Sequence, residues 1–192
     1  MQNWDTCNLH VKSTPWYGQM SLPRELSVRN GRLYQQPVRE LEALRGEKIV
    51  YEDVELSDGE IVLDGIEGRA MDLEVTLAPD GELYNRFAVR FAKGDGYYTG
   101  FSFRPRESVV KVDRKFSGSR RAIIHQRRAK VDHDKGRLKL RLILDRFSVE
   151  AFLGDGEKVM SATVSTRLSA DGITFFCDGK ARFSVRAWRL KT

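Results

Sequence analysis

Apolar and polar residues alternate with a period of two along most of this chain, the pattern of half-buried β-strands. Leu138, Leu140, Leu142 and Leu144 share one parity, and Lys139 and Arg141 the other. After Asp145 the apolar set moves to odd positions: Phe147, Val149, Ala151 and Leu153. A side-chain period of two cannot change parity without an inserted residue or a turn. The spacing therefore predicts two strands flanking a bulge or tight bend at Asp145-Arg146. Residues 72–77 alternate cleanly and end at the turn Ala78-Pro79-Asp80-Gly81. Phe87, Val89 and Phe91 alternate with Arg86, Ala88 and Arg90, and Lys93-Gly94-Asp95-Gly96 leads into a strand over 97–103. Residues 158–164 and 173–177 continue the pattern. Asp178-Gly179 is a hairpin signal, and a last strand over 181–190 turns Phe183, Val185, Ala187 and Leu190 inward.

One segment reads as helix. Residues 37–46 carry Pro37 near the first helical position and Gly46 just past the end. Val38, Leu41 and Leu44 fall on one side. At about three turns it needs tertiary packing to persist. The rest is strand and turn at a spacing of roughly 8–12 residues, the rhythm of a sandwich or barrel. The expected fold is all-β: a two-layer antiparallel sandwich, concanavalin-like or jelly-roll-like, with one short helix near the N-terminus and sheets about 10 Å apart.

A length of 192 residues and 41% hydrophobic content suit one domain with a real core. No apolar run approaches the roughly 18 residues of a membrane helix, so no membrane partner is expected. The polar N-terminus shows no signal-peptide pattern. That leans towards the cytoplasm, with a leader further upstream left open. The net charge of +6 is concentrated: residues 104–130 hold ten Lys or Arg against two acids, Glu107 and Asp113. A basic patch can draw in nucleic acid. Here the cations lie on alternating strands, with Val110 and Val112 and then Ile123 and Ile124 supplying buried positions. No helix carries them and no aromatic ribonucleoprotein motif interleaves them, so a solvated face is expected and nucleic acid is not.

Cys7 and Cys177 are too few for a disulfide framework and read as buried or half-buried thiols. His10, His125 and His133 lack metal-ligand spacing. His133 sits in Asp132-His133-Asp134-Lys135-Gly136, a polar turn, and no metal or cofactor is expected. Asp145 and Glu150 look like a carboxylate pair. The bend between them leaves their separation open, and the expected role is to tie the bend through hydrogen bonds and an ion pair with Arg146.

Two stretches point further. One runs from Gly18 through Leu22-Pro23-Arg24-Glu25-Leu26 to Gly31-Arg32-Leu33-Tyr34-Gln35-Gln36-Pro37. The other reads Asp145-Arg146-Phe147-Ser148-Val149-Glu150-Ala151-Phe152, then Asp155-Gly156-Glu157, with a weaker echo in Val112-Asp113-Arg114 and Ser117-Gly118. In this order they resemble the C-terminal part of glycoside hydrolase family 32, the β-fructosidases. The resemblance implies that residues 1–17 are a remnant of the last propeller strand and linker. Residues 18–192 are then the C-terminal β-sandwich, in which Pro23, Arg24, Glu25, Asp145, Arg146 and Glu150 are structural motif residues.

The family's catalytic acids sit in Asn-Asp-Pro, Arg-Asp-Pro and Glu-Cys motifs of an N-terminal propeller. The five prolines here follow Thr14, Leu22, Gln36, Ala78 and Arg104, and the cysteines follow Thr6 and Phe176. None of the three motifs exists, and no catalytic residue is assigned. A retaining glycosidase needs two carboxyl groups about 5–5.5 Å apart, and the chain alone is expected to be inactive. The resemblance implies a non-catalytic domain of a β-fructofuranosidase acting on terminal β-D-fructofuranosides such as sucrose or fructan. Its partners would be the propeller, a fructose-containing saccharide in the parent, and a second copy in a homodimer.

The alternative is a stand-alone lectin-like carbohydrate-binding module. Its candidate aromatic platforms are Trp16 and Tyr17 near the start, where a propeller would also pack, and Tyr97 and Tyr98, flanked by Gly96 and Gly100. Adjacent strand residues face opposite ways, so at most one of these two tyrosines can join a flat site.

Overall fold

The computed structural model describes residues 20–118 and 126–191. Its strands are β1 (Arg24–Arg29), β2 (Arg32–Pro37), β3 (Arg45–Ile61), β4 (Met71–Pro79), β5 (Arg86–Gly94), β6 (Tyr97–Arg104), β7 (Val109–Asp113), β8 (Gln126–Lys130), β9 (Leu138–Asp145), β10 (Ser148–Leu153), β11 (Lys158–Thr163) and β12 (Gly172–Leu190). β1 and β2 form a separate antiparallel hairpin. The others lie in the order β11-β10-β9-β4-β12-β5-β6-β7-β8, with β3 pairing the length of β12.

The two long strands make the sandwich. The first half of β12 pairs with β5 and the second half with β4. One layer therefore holds β11-β10-β9-β4 and the C-terminal half of β12. The other holds its N-terminal half with β5-β6-β7-β8. This is the expected all-β antiparallel sandwich. The core is built from the predicted parities: Leu73, Val75, Leu140, Leu142, Val149 and Ala151 from one layer, Phe87, Val89, Phe101, Phe103 and Val110 from the other. Phe183 stacks on Phe175 at 4.9 Å and meets Phe87 edge-on at 5.2 Å. Each such buried side chain contributes about 1.5–3 kcal/mol through apolar burial. Cys177 lies in this core as a free thiol, and burial pushes its pKa up to about 12; Cys7 lies outside the described residues.

The parity change at Asp145 is a tight turn. Asp145 pairs with Ser148, so Arg146 and Phe147 form a two-residue hairpin loop between β9 and β10. The hairpin expected at Asp178-Gly179 does not form: β12 runs straight through it. A type I′ turn needs positive φ at both central residues, and only Gly179 has it, at +98°. With Asp58 Oδ1 accepting the Gly179 N–H at 2.7 Å, the result is a register shift against β3 within one continuous strand. Leu190 accordingly faces a second apolar cluster and not the main core.

The expected helix over 37–46 is shorter. Pro37 ends β2, a 3-10 helix spans Arg39–Leu44, and Arg45 is already extended. Tertiary pairing overrides local propensity here. β3 joins β12 from Arg45 onward, and Gly46 sits so close that an added Cβ would lie 2.9 Å from the Arg189 carbonyl oxygen.

The β1–β2 hairpin and the 3-10 helix cap the outer face of the β9-β10-β11 region. Leu41 packs there with Ile143 and Phe152, with Leu22, Val159 and Leu190 at the edge. The Gln35 N–H donates to the Gly156 carbonyl at 2.9 Å. Gly156 has φ of +91°, and a Cβ on it would lie 2.1 Å from the Gln35 oxygen. Gly156→Ala is therefore expected to destabilise the fold by about 1–3 kcal/mol through overpacking and backbone strain, measurable by urea denaturation.

Candidate functional site: a latched hairpin and an open groove

The two sequence stretches that stood out meet on the outer face of the β10 layer. Strand alternation turns Val149 and Ala151 inward and Glu150 outward, yet Glu150 is only 2% exposed because the β1–β2 hairpin covers it. Its Oε1 accepts the Leu22 N–H at 2.5 Å, and its Oε2 accepts Arg24 Nη2 at 2.5 Å and Ser161 Oγ at 3.3 Å. Arg24 also donates to Ser161 Oγ at 2.8 Å and to Gln35 Oε1 at 3.0 Å, with its guanidinium 5.6 Å from the Phe152 ring centre. Both carboxylate oxygens are thus occupied by donors.

The expected ion pair with Arg146 does not form. Arg146 lies in the exposed loop, where its carbonyl accepts from Arg69, while Glu150 finds its cation 126 residues away at Arg24. Asp145 is exposed and its Oδ1 accepts the Arg146 N–H at 2.7 Å. Glu25 points away from the latch and pairs with Arg39 at 3.0 Å, whose hydrogen bond lowers the Glu25 pKa. The Pro23 carbonyl accepts the Val38 N–H at 3.2 Å.

Beside the latch lies a second buried network that inspection of the sequence did not find. Asp72, fully buried, accepts from Arg45 Nε at 2.8 Å and from Arg141 Nε and Nη2 at 2.9 and 2.7 Å. Arg45 also reaches Glu74 at 2.7 Å and lies 3.7 Å over the Trp188 ring. The only local signal was polar residues at outer positions of alternating strands, which ordinarily means a wet face.

Tyr98 is half-buried and stacks on Phe116 at 5.3 Å, with the Arg90 guanidinium 5.1 Å from its ring. Tyr97, on the opposite side of β6, is 46% exposed. The structure does not bring these two tyrosines to one surface; Trp16 and Tyr17 lie outside the described residues. His133 is tied by both ring nitrogens: Nδ1 accepts the Gly136 N–H at 2.9 Å and Nε2 lies 3.0 Å from the Pro105 carbonyl.

On the same outer face as Arg90, two depressed carboxylates set an acid limit. Burial pushes Glu60 upward, but hydrogen bonds from Lys93 and Thr174 and the charges of Arg90 and Lys93 bring it below its ordinary value of 4.5. Asp113 is likewise raised by burial and brought below 3.8 by Lys111 and the Lys115 N–H. A depressed folded pKa contributes stability that is present above the unfolded value and lost as pH falls through the folded one. The melting temperature is expected to hold above about pH 4.5 and fall below it, with a shallower fall in Glu60→Gln.

An open cleft of about 620 Å³ lies beside the latch, lined by Gln36, Lys48, Glu52, Lys139, Asp155 and Arg186 among others. A second cleft of about 580 Å³ shares Thr76, Lys139 and Ser184 with it.

Comparison with known proteins fits this geometry. Residues 40–189 match the family model described as "Glycosyl hydrolases family 32 C terminal". The chain belongs to this family. It is 31% identical over 190 residues to a levanase of Bacillus sp. (strain L7), covering 93% of this chain and 20% of that protein. It is 30% identical over 176 residues to a sucrose-6-phosphate hydrolase of Bacillus subtilis (strain 168), covering 91% and 34%. An exo-inulinase from Aspergillus awamori superposes with a TM-score of 0.85 at 19% identity, over 100% of this chain and 39% of that one. The family 32 chain thus spans well under half the length of these relatives.

Proposed function

We propose that this family 32 domain is the non-catalytic C-terminal sandwich of a β-fructofuranosidase, bracing a catalytic propeller. One observation carries the reading: Glu150, the buried acid of the Asp145-to-Phe152 motif, has both oxygens occupied by Leu22, Arg24 and Ser161. A carboxylate so held cannot give up a hydrogen-bonded site to a sugar without undocking the hairpin. Asp145, its apparent mate, is an exposed turn residue. The relatives named levanase, raffinose invertase and sucrose-6-phosphate hydrolase support a parent that hydrolyses terminal β-D-fructofuranosides. In that parent residues 1–17 join the propeller to the sandwich, and a second copy of the domain is a further partner. Purified chain incubated with sucrose, sucrose 6-phosphate, inulin and levan is expected to release no fructose. Release above a protein-free control overturns the reading.

A further inference from the structure

We propose that the two joined clefts form one groove, on the outer face of the layer holding β9, β4 and the C-terminal half of β12, that binds a neutral polyhydroxylated chain, a fructan oligosaccharide. The inference rests on the β-fructofuranosidase reading for the identity of the sugar and on the following geometry for the site.

The register of the sheet lays its outer-face residues in cross-strand rows. One row runs Trp188, Asp72, Ile143, Glu150, and every member is buried: Glu150 beneath the hairpin, Ile143 against Leu41, and Asp72 and Trp188 against Arg45. The next runs Arg186, Glu74, Arg141, Phe152. The third is Ser184, Thr76, Lys139. These are the three residues shared by both clefts, which are therefore one continuous trough. Two short hydroxyl side chains in the third row leave the floor low. The long side chains of Arg186 and Arg141 stand on one side, and Arg182 stands on the other.

The ends of the trough are also built. At one end β3 carries a register shift opposite Phe183/Val185, with Asp53 at φ of +50°. The Asp53 N–H donates to Ser184 Oγ at 3.1 Å. A bulge re-aims the strand's side chains, and here Glu52 and Asp53 line the trough. At the other end stand Gln36 of the hairpin and the Asp155-Gly156 turn, held together by the Gln36 amide on the Asp155 carbonyl.

The chemistry suits a sugar better than an ion. The trough offers carboxylate acceptors (Glu52, Asp53, Glu74, Asp155) and cationic donors (Lys48, Lys139 and four arginines), so donors and acceptors are interspersed along its length. Two of its arginines are held at close range by carboxylates, Arg141 by Asp72 at 2.7 Å and Arg182 by Glu55 at 2.6 Å, while Arg186 lies 3.9 Å from Glu74 and Arg137 lines the second cleft. Lys139 reaches Asp155 only at 3.9 Å and is 68% exposed. Vicinal hydroxyls both donate and accept, and can bridge such alternating partners where an anion would meet the carboxylates. With polar contacts and no aromatic platform in the floor, a dissociation constant of about 1 mM is expected.

The test is calorimetry and amide chemical-shift mapping of the intact chain with inulin-type and levan-type oligosaccharides, with maltooligosaccharide as control. Shifts at Thr76, Lys139 and Ser184, and saturable fructan binding, are expected. Thr76→Tyr, which fills the floor, and Lys139→Ala, which removes an exposed donor, should each weaken binding about tenfold or more with an unchanged melting temperature. Should Thr76→Tyr fail to fold, Lys139→Ala reports on the same floor. No saturable binding, binding equal for maltooligosaccharide, or affinity unchanged in Lys139→Ala overturns the groove. Fructose measured in the same tubes separates the two readings: its release overturns the non-catalytic assignment, whereas no binding with no release overturns only the groove.

Discussion

Asp72→Ala is expected to lower the unfolding free energy by about 3–5 kcal/mol, the cost of removing one partner from a buried ion pair. Asp72 has no solvent exposure and receives two guanidinium groups, Arg45 and Arg141, each at 2.7 Å at its closest. Without the carboxylate the two half-buried cations face each other, with Glu74 at 2.7 Å and Glu42 at 3.9 Å left to compensate Arg45. Arg45 also loses the anchor that holds it 3.7 Å over Trp188, so the first residues of β3 should loosen from β12. For a chain of this size the loss corresponds to a fall in melting temperature of roughly 10 °C. Differential scanning calorimetry checks it. A fall under about 1 kcal/mol, the range of an exposed pair, would mean that water already reaches this network.

The second large effect lies in the latch. Arg24→Ala and Glu150→Ala should each cost about 3 kcal/mol, because each leaves the other partner's charge buried beneath the hairpin. The double variant should cost much less than the sum, since the two residues share one interaction. Replacing both with apolar residues, as in Arg24→Met with Glu150→Leu, should come close to the parent stability, because a packed apolar pair removes the desolvation cost on both sides. Hydrogen exchange distinguishes undocking from global loss. In the single variants the Gln35 amide, which donates to Gly156, should exchange faster, while Phe175 and Val185 amides in the core strand β12 keep their protection. Additive single effects would show that Arg24 and Glu150 act separately, against the 2.5 Å contact between them.

Two contrasting outcomes came from the same kind of local signal. The parity change at Asp145 gave a hairpin turn because both flanking strands had apolar faces that had to stay on one side. Asp178-Gly179 carried an orthodox turn dipeptide and gave none, because β12 is held on one flank by β3 and on the other by β5 and then β4. A turn there would have broken pairing on both sides. The segment over 37–46 behaved likewise. Its end signals were in place, but Arg45 was drawn into the Asp72 network and the strand began early.

By itself the sequence determined where the strands from β4 to β6 and from β9 to β11 run and which of their side chains enter the core, since a period of two is a property of neighbouring residues and needs no partner; β1, β2 and β3 were not legible in it. It also carried the motif pair that marks family 32. Only the tertiary structure decided who meets whom: Arg24 with Glu150 across 126 positions, Asp72 between Arg45 and Arg141, and Ser184, Thr76 and Lys139 in one row of an open trough. The physical reason is that outer-face charges look alike in sequence whether wet or covered. Register sets which of them become neighbours, and the docking of a short hairpin decides which lose their water.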